Sequence, residues 1–178
     1  GSSGSWDSAA IMLAGGVKRL IANNTIYDCS AGINCPDSGT SKSYTIINNV
    51  IANMTGSGNH IWVQDESGGT GWNISNNVFG QPGGAVKIKF RNTADNVSQL
   101  QSQFGSNAQL NKETDPMLIN PAYSNFRLSI NSPAINNGSS LSTVLTQYLN
   151  IYGVGIDVDF FGNSRVGNVD MGAIEFVP

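Results

Sequence analysis

The chain has 178 residues, of which 12% are charged, and its net charge is −3. That length makes one domain able to bury a sizeable core. The acidic balance excludes a general attraction to nucleic acid or to anionic membranes, and the lack of any run of about twenty apolar residues excludes a membrane-inserted helix.

Gly1-Ser2-Ser3-Gly4-Ser5 reads as an expression remnant or flexible lead-in, taken to residue 7 and set aside from the fold. From residue 8 the sequence becomes periodic. Ile21-Ala22-Asn23-Asn24-Thr25-Ile26, Ile46-Ile47-Asn48-Asn49-Val50-Ile51 and Ile74-Ser75-Asn76-Asn77-Val78-Phe79 place the same dipeptide in the same setting, at steps of 49 − 24 = 25 and 77 − 49 = 28 residues. Periods of this size belong to solenoids, in which each unit stacks on its neighbours. The flanking Ile, Val, Thr and Phe suit a pleated surface, and recurring Gly and Asn break any helical period, so each unit is a coil of short strands. Asparagine at one fixed place per coil belongs at a turn. Stacking then aligns the second Asn of each pair, facing inward, into a hydrogen-bonded ladder.

A second series runs in step: Ala10-Ile11-Met12-Leu13, Gly32-Ile33-Asn34-Cys35, His60-Ile61-Trp62-Val63 and Ala85-Val86-Lys87-Ile88. Strand alternation places Ile11, Ile33, Ile61 and Val86 in one inward row and Leu13, Cys35, Val63 and Ile88 in another, with Met12, Asn34, Trp62 and Lys87 outside. Cys29 and Cys35 are too few for a disulfide framework, and Cys35 reads as a buried thiol. Two strand series per coil of this length describe an all-β, right-handed parallel β-helix, a short solenoid spanning residues 8–92.

Residues 93–178 read as final coils and a C-terminal cap containing one or two short α-helices. Behind Thr93 and Asp95 as caps, Val97, Leu100 and Phe104 have helical spacing. Leu141, Val144, Leu145, Tyr148 and Leu149 form an apolar stripe over 139–150, behind Ser139 or Ser140, and this helix is expected to cover the open end of the core. Met171-Gly172-Ala173-Ile174-Glu175-Phe176 reads as a last strand.

Asp115-Pro116-Met117-Leu118, Phe126-Arg127-Leu128, Ser132-Pro133-Ala134-Ile135-Asn136-Asn137-Gly138, the segment from Asp159 through Gly162 to Arg165, and Asp170-Met171-Gly172-Ala173-Ile174-Glu175-Phe176 occur in that order. Together they resemble the C-terminal part of secreted bacterial right-handed parallel β-helix proteins of the pectate-lyase-like superfamily. In that family the ending runs "DP-x-F", "F-x-L", "SPAIDAG", "D-x-x-G-x-x-R" and "D-I-G-A-Y-E". The resemblance implies a secreted or cell-surface bacterial protein acting on, or binding to, polysaccharides. It also implies an upstream β-helix or a catalytic domain of the same polypeptide as a possible partner, and Arg165 pairing with Asp159 or Asp170. Only three or four coils are present, fewer than in a lyase of that superfamily, so a non-catalytic module fits better than a complete enzyme. A fold alone does not name a reaction.

Function is expected on the outer face, because packing occupies the interior. Lys87, Lys89 and Arg91 alternate along one strand and project together about 7 Å apart, a local positive row on an acidic protein. In the expected register Trp62 lies beside Lys87, Gln64 beside Lys89 and Glu66 near Arg91, with Trp72 a short loop away. An exposed indole stacks on the C–H face of a sugar, and Arg offers a fork to a carboxylate. Trp62, Gln64, Lys87, Lys89, Arg91 and Trp72 are therefore the expected glycan surface, for a cell-wall polysaccharide. The alternatives are a lyase with Lys87 or Lys89 as base and Arg91 as neutraliser, calcium being held by Asp65 or Glu66, and a purely structural cap of a longer adhesin. Asp65 and Glu66 are adjacent and point to opposite faces, a poor hydrolase pair. His60 precedes an inward residue and is expected to face outward. No cofactor is expected, the one weak metal candidate being calcium at Asp157 and Asp159, where two carboxylates precede Gly162 without the remaining ligands.

Overall fold

The computed structural model describes residues 9–13, 18–36, 43–56, 58–64, 71–90, 95–165 and 167–178. The expected lead-in falls outside these, as do Thr93, Asp65, Glu66 and Arg91.

The chain is predominantly β, built from parallel sheets and two short α-helices. Strands β1 (Ala9–Met12), β4 (Ala31–Cys35), β7 (Ile61–Val63) and β10 (Ile88–Phe90) form sheet A in that order. Sheet B is β2 (Lys18–Ala22), β5 (Ser43–Ile47) and β8 (Asn73–Ser75). Sheet C is β3 (Thr25–Tyr27), β6 (Val50–Ala52), β9 (Val78–Gly80) and β11 (Lys112–Glu113). Each of the first three circuits visits A, then B, then C, and in the fourth α1 stands between β10 of sheet A and β11 of sheet C. Between B and C stands the asparagine pair.

The ladder expected from the sequence is present. Asn24 donates its backbone N–H and its Nδ2 to the Asn49 Oδ1 at 3.0 and 2.9 Å, and Asn49 does the same to Asn77 at 2.9 and 3.0 Å. A fourth rung extends it. Asn77 donates to the Asn111 Oδ1 at 3.1 and 3.0 Å. Asn49 and Asn77 are fully buried, where an unsatisfied amide is costly. The first member of each pair turns the chain: Asn23, Asn48 and Asn76 have φ of 57°, 59° and 52°, the left-handed region that asparagine tolerates. Leu110 occupies the equivalent place before Asn111 with φ 61°, although leucine gains nothing there.

Inward rows pack as one core. Ile11, Ile33, Ile61 and Ile88 align in sheet A, and Cys35, Val63 and Phe90 beside them. The fourth coil is thus two residues out of the expected register: Ile88, not Val86, continues the first row. A two-residue slip keeps every side chain on its expected face, and Val86 is still buried.

Helix α1 (Val97–Phe104) begins at Asn96, whose side chain accepts from the Gln99 N–H; Asp95 is one residue outside the cap, and its N–H donates to the Gln99 Oε1. Val97 and Leu100 are buried in the main core, and Phe104 meets Phe90 edge to face at 4.4 Å. The covering helix is therefore α1 and not the later one. It follows β10 directly, so its stripe meets the core while that end is still open. Helix α2 (Ser142–Tyr152) buries none of its residues and lies outside the sheets, facing Leu20 and Asn23 across a cavity of about 470 Å³.

The C-terminal region wraps the outside of sheet C. β12 (Leu118–Asn120) and β13 (Asn125–Leu128) pair antiparallel. Val50 and Val78, on the outer face of sheet C, form a second cluster with Leu128, Ala134 and Met171. Residues 171–176 are a bent segment instead of the expected strand. Gly172, at φ 100°, donates to the Asn48 carbonyl at 2.7 Å, and Ala173 donates to the Thr25 Oγ1. These contacts hold the segment on side chains and turns, away from any strand edge.

Two substitutions test this account in denaturant melts. Asn77→Ala strands the Ile46 and Ser75 carbonyls and the Asn49 amide, and is expected to destabilise by about 3–5 kcal/mol. Leu110→Asn relieves a left-handed leucine and is expected to stabilise by about 1 kcal/mol.

Candidate functional site

The outer row of sheet A runs Met12, Asn34, Trp62, Lys89 by direct register. The neighbour of Trp62 is thus Lys89 and not Lys87, a consequence of the two-residue shift. The Lys89 ammonium lies over the indole, 5.6 Å from the ring centroid, a cation–π arrangement. Trp62 and Lys89 are half-buried and Lys87 is exposed. Gln64 is half-buried at the end of the row, where its N–H donates to the Cys35 carbonyl. Arg91 lies outside the described residues. Asn34, expected outside, stands on the outer row but is only 4% exposed, and its Oδ1 is buried without a hydrogen-bond partner.

Trp72 is removed from this surface. It is 5% exposed, stacked on Tyr44 at 4.3 Å and edge to face with Phe90 at 5.2 Å. It flanks β8 in sheet B on the inward side, so its large apolar area is spent on the core. The sequence suggests a place on the glycan surface instead, because the alternation of so short a strand is not visible beyond three positions.

His60 also reverses its expected side, being 1% exposed. The chain bends just before β7, so strand alternation does not extend to residue 60. Its Nδ1 accepts the Lys87 N–H at 3.2 Å, its Nε2 lies 3.1 Å from the Gly80 carbonyl, and its ring meets Phe79 edge to face. These partners select the neutral ring with hydrogen on Nε2. Burial pushes the imidazole below its ordinary value, more than the backbone hydrogen bonds raise it. The histidine is a structural tie between sheets A and C, and solvent cannot reach it. Gly32 belongs to the same contact: a Cβ there would sit 2.3 Å from the His60 carbonyl oxygen.

The Asp157 and Asp159 pair is not a calcium loop. Asp159 Oδ1 accepts the Phe161 and Asn163 N–H groups, and Oδ2 accepts the Asn163 Nδ2 and the Glu175 N–H. Four N–H donors occupy the carboxylate where a cation would have to bind. Burial works to raise its pKa, and these hydrogen bonds outweigh it and hold the carboxyl below its usual range. Among the described residues no group of three or more His, Cys, Asp or Glu could hold a metal ion.

Arg165 pairs neither of the expected aspartates through their side chains. It forms a buried ion pair with Glu175 at 3.0 Å and donates to the carbonyls of Gly172 and Asp170. Asp170 instead accepts the Asn136 and Phe176 N–H groups. Asp159, Asp170 and Glu175 thus accept mainly from the N–H groups of their own region. Cys35 is buried as expected, and Cys29 is half-buried, its thiol pushed up by burial and by Asp28. No helix among the described residues is long and apolar enough to cross a membrane.

Compared with protein-family models and with curated proteins, the chain matches none.

Two pH experiments follow. With its pKa depressed on folding, His60 costs stability as the pH falls below about 6.5, the unfolded value. Between pH 7 and 5 the melting temperature is expected to fall, and His60→Gln is expected to flatten that slope; an unchanged slope refutes the assignment. Asp159 acts in the opposite range: its stabilisation is present above about pH 4 and is lost as the pH falls through its depressed folded value. Asp159→Asn should lower stability at pH 7 and bring the variant and parent curves together toward pH 2.

Proposed function

We propose that the chain is a right-handed parallel β-helix section of a secreted bacterial carbohydrate-active protein, and that it binds an acidic cell-wall polysaccharide without cleaving it. Three parallel sheets visited in the same order by three successive circuits, each with an asparagine turn, support the β-helix reading. The binding surface is the outer face of sheet A, carried by Trp62, Lys87 and Lys89, with Gln64 at its edge and Arg91 further along the chain.

The observation that carries this reading is the Lys89 ammonium over the Trp62 ring. The indole offers an apolar platform for the C–H face of a pyranose. Lys89 supplies a charge beside that platform, and a uronate carboxylate lying on the ring competes for it more strongly than the indole does. Lys87, exposed two residues away, adds a second cation for the next sugar.

In affinity electrophoresis, retardation is expected in gels containing polygalacturonate or alginate and weak or absent in neutral xylan, and it should decline as salt rises. Trp62→Ala and Lys89→Ala are each expected to weaken binding about tenfold. Trp72→Phe, a core change, should leave affinity unaltered in the folded protein. No retardation in either acidic glycan sinks the proposal, and a rise in absorbance from unsaturated uronate replaces it with β-elimination.

A further inference from the structure

Asn23, Asn48 and Asn76 stand outside the ladder, and two of them read the backbone of the C-terminal segment. Asn76 donates to the Asn137 carbonyl at 3.0 Å, while Asn48 donates to the Ser139 carbonyl and accepts the Ser139 N–H, each at 2.8 Å. The segment advances by 139 − 137 = 2 residues for one coil, so residue 141 is next in line for Asn23. The chain leaves that row instead. Leu141 caps α2, and its carbonyl accepts the Leu145 N–H at 2.9 Å. The Asn23 Oδ1 is left buried and, among the described residues, without a donor.

Where the segment departs there is a cleft of about 470 Å³, lined by Leu20 and Asn23 of the first coil, by Val144 and Leu145 of α2, and by Ile156 and Arg165 of the chain that follows. Leu20, Val144 and Ile156 are 40, 38 and 42% exposed, so apolar lining is left in contact with water. The charges in the lining are already matched. Arg165 is paired with Glu175 at 3.0 Å, and Asp159 accepts four N–H donors. A charged occupant would be desolvated there without a counterpart. The Arg165 side chain is only 5% exposed, and its Nε is a second polar atom of the lining with no partner among the described residues.

We propose that this cleft docks an extended, uncharged segment of a partner protein. One residue of that segment gives its N–H to the Asn23 Oδ1 and its carbonyl to the Asn23 Nδ2, while its aliphatic side chain packs among Leu20, Val144 and Ile156. The two-point contact is the one Asn48 already makes with Ser139, and an extended residue presents its N–H and carbonyl on one side in the way it requires. The occupant thus continues a row of backbone contacts that the chain itself abandons at Leu141. Main-chain hydrogen bonds supply the attachment and the apolar lining supplies the selection, as in other strand-like peptide sites. The Asn23 Oδ1 is shielded in the structure, and a turn about its soft χ2 brings it to face the cleft. Leu20 and Asn23 belong to β2 and the turn after it, away from sheet A, so the inference is independent of the glycan reading.

The test titrates the full chain with the peptide acetyl-Ser-Val-Leu-Val-Ser-amide and follows its amide resonances by NMR. Saturable shifts are expected at the Asn23 side-chain amide and at the Leu20 and Leu145 N–H groups. Methylating the leucine nitrogen of the peptide removes the N–H meant for Oδ1 and is expected to weaken binding about tenfold. Asn23→Gly keeps the left-handed turn at φ 57°. It should weaken the unmethylated peptide by a similar factor and abolish the difference between the two peptides, with the Asn49 and Asn77 side-chain resonances unchanged as the check on folding. If that variant does not fold, the methylated peptide decides the matter on the unaltered chain. No shift in the cleft at about 1 mM peptide overturns the proposal. So does a methylated peptide that binds as tightly as the unmethylated one.

Discussion

A buried primary amide is costly unless both its donors and its acceptor are matched, and four of them in a column are tolerable only at one mutual alignment. The column from Asn24 to Asn111 imposes that alignment on the molecule. Asn49 and Asn77 each bond their own coil at the residue two before and also the coil preceding it, and the Oδ1 of each receives the rung before. A slip of one residue in any coil would break these contacts and turn the adjoining isoleucines outward. Parallel strands of three to five residues are weak alone, and the ladder is what makes their register unambiguous.

The two asparagines of a pair divide the work. The second enters the ladder, while the first takes the left-handed turn and presents its side chain outward. There it captures the C-terminal segment: Asn48 exchanges two hydrogen bonds with the Ser139 backbone and Asn76 donates to the Asn137 carbonyl. Ala134 and Met171 are thereby set against the outer valines of sheet C. Asp159, Asp170 and the Arg165–Glu175 pair then tie its loops by accepting or donating to backbone groups. Burial raises the Glu175 carboxyl, and Asp170 adds to that, while Arg165 opposes it. This part of the molecule is thus held by matched polar contacts more than by apolar area, which is why α2 and residues 153–161 carry so many exposed apolar side chains.

Burial separates the interior from the outer face of sheet A. Trp72, Tyr44, Phe90 and Phe104 form a continuous aromatic stack in the interior. Trp62 is left on the outside beside a cation. Two tryptophans ten residues apart therefore sit in different surroundings, decided by which face of which sheet each occupies.

The sequence alone determined the coil class, the inward asparagines, the burial of Cys35 and the alternation of Lys87 and Lys89, because these depend on a period of two within a strand and on a recurring dipeptide. It also located the apolar stripe of α1. It missed Asn111, where an inserted helix stretches the step from Asn77 to 34 residues and leucine stands in for the first asparagine. The tertiary structure decided that Lys89 and not Lys87 meets Trp62, that His60 and Trp72 turn inward, and that α1 closes the core. Each of these depends on how many residues a turn absorbs before the next strand pairs, a quantity fixed by hydrogen bonds between distant coils and invisible to local alternation.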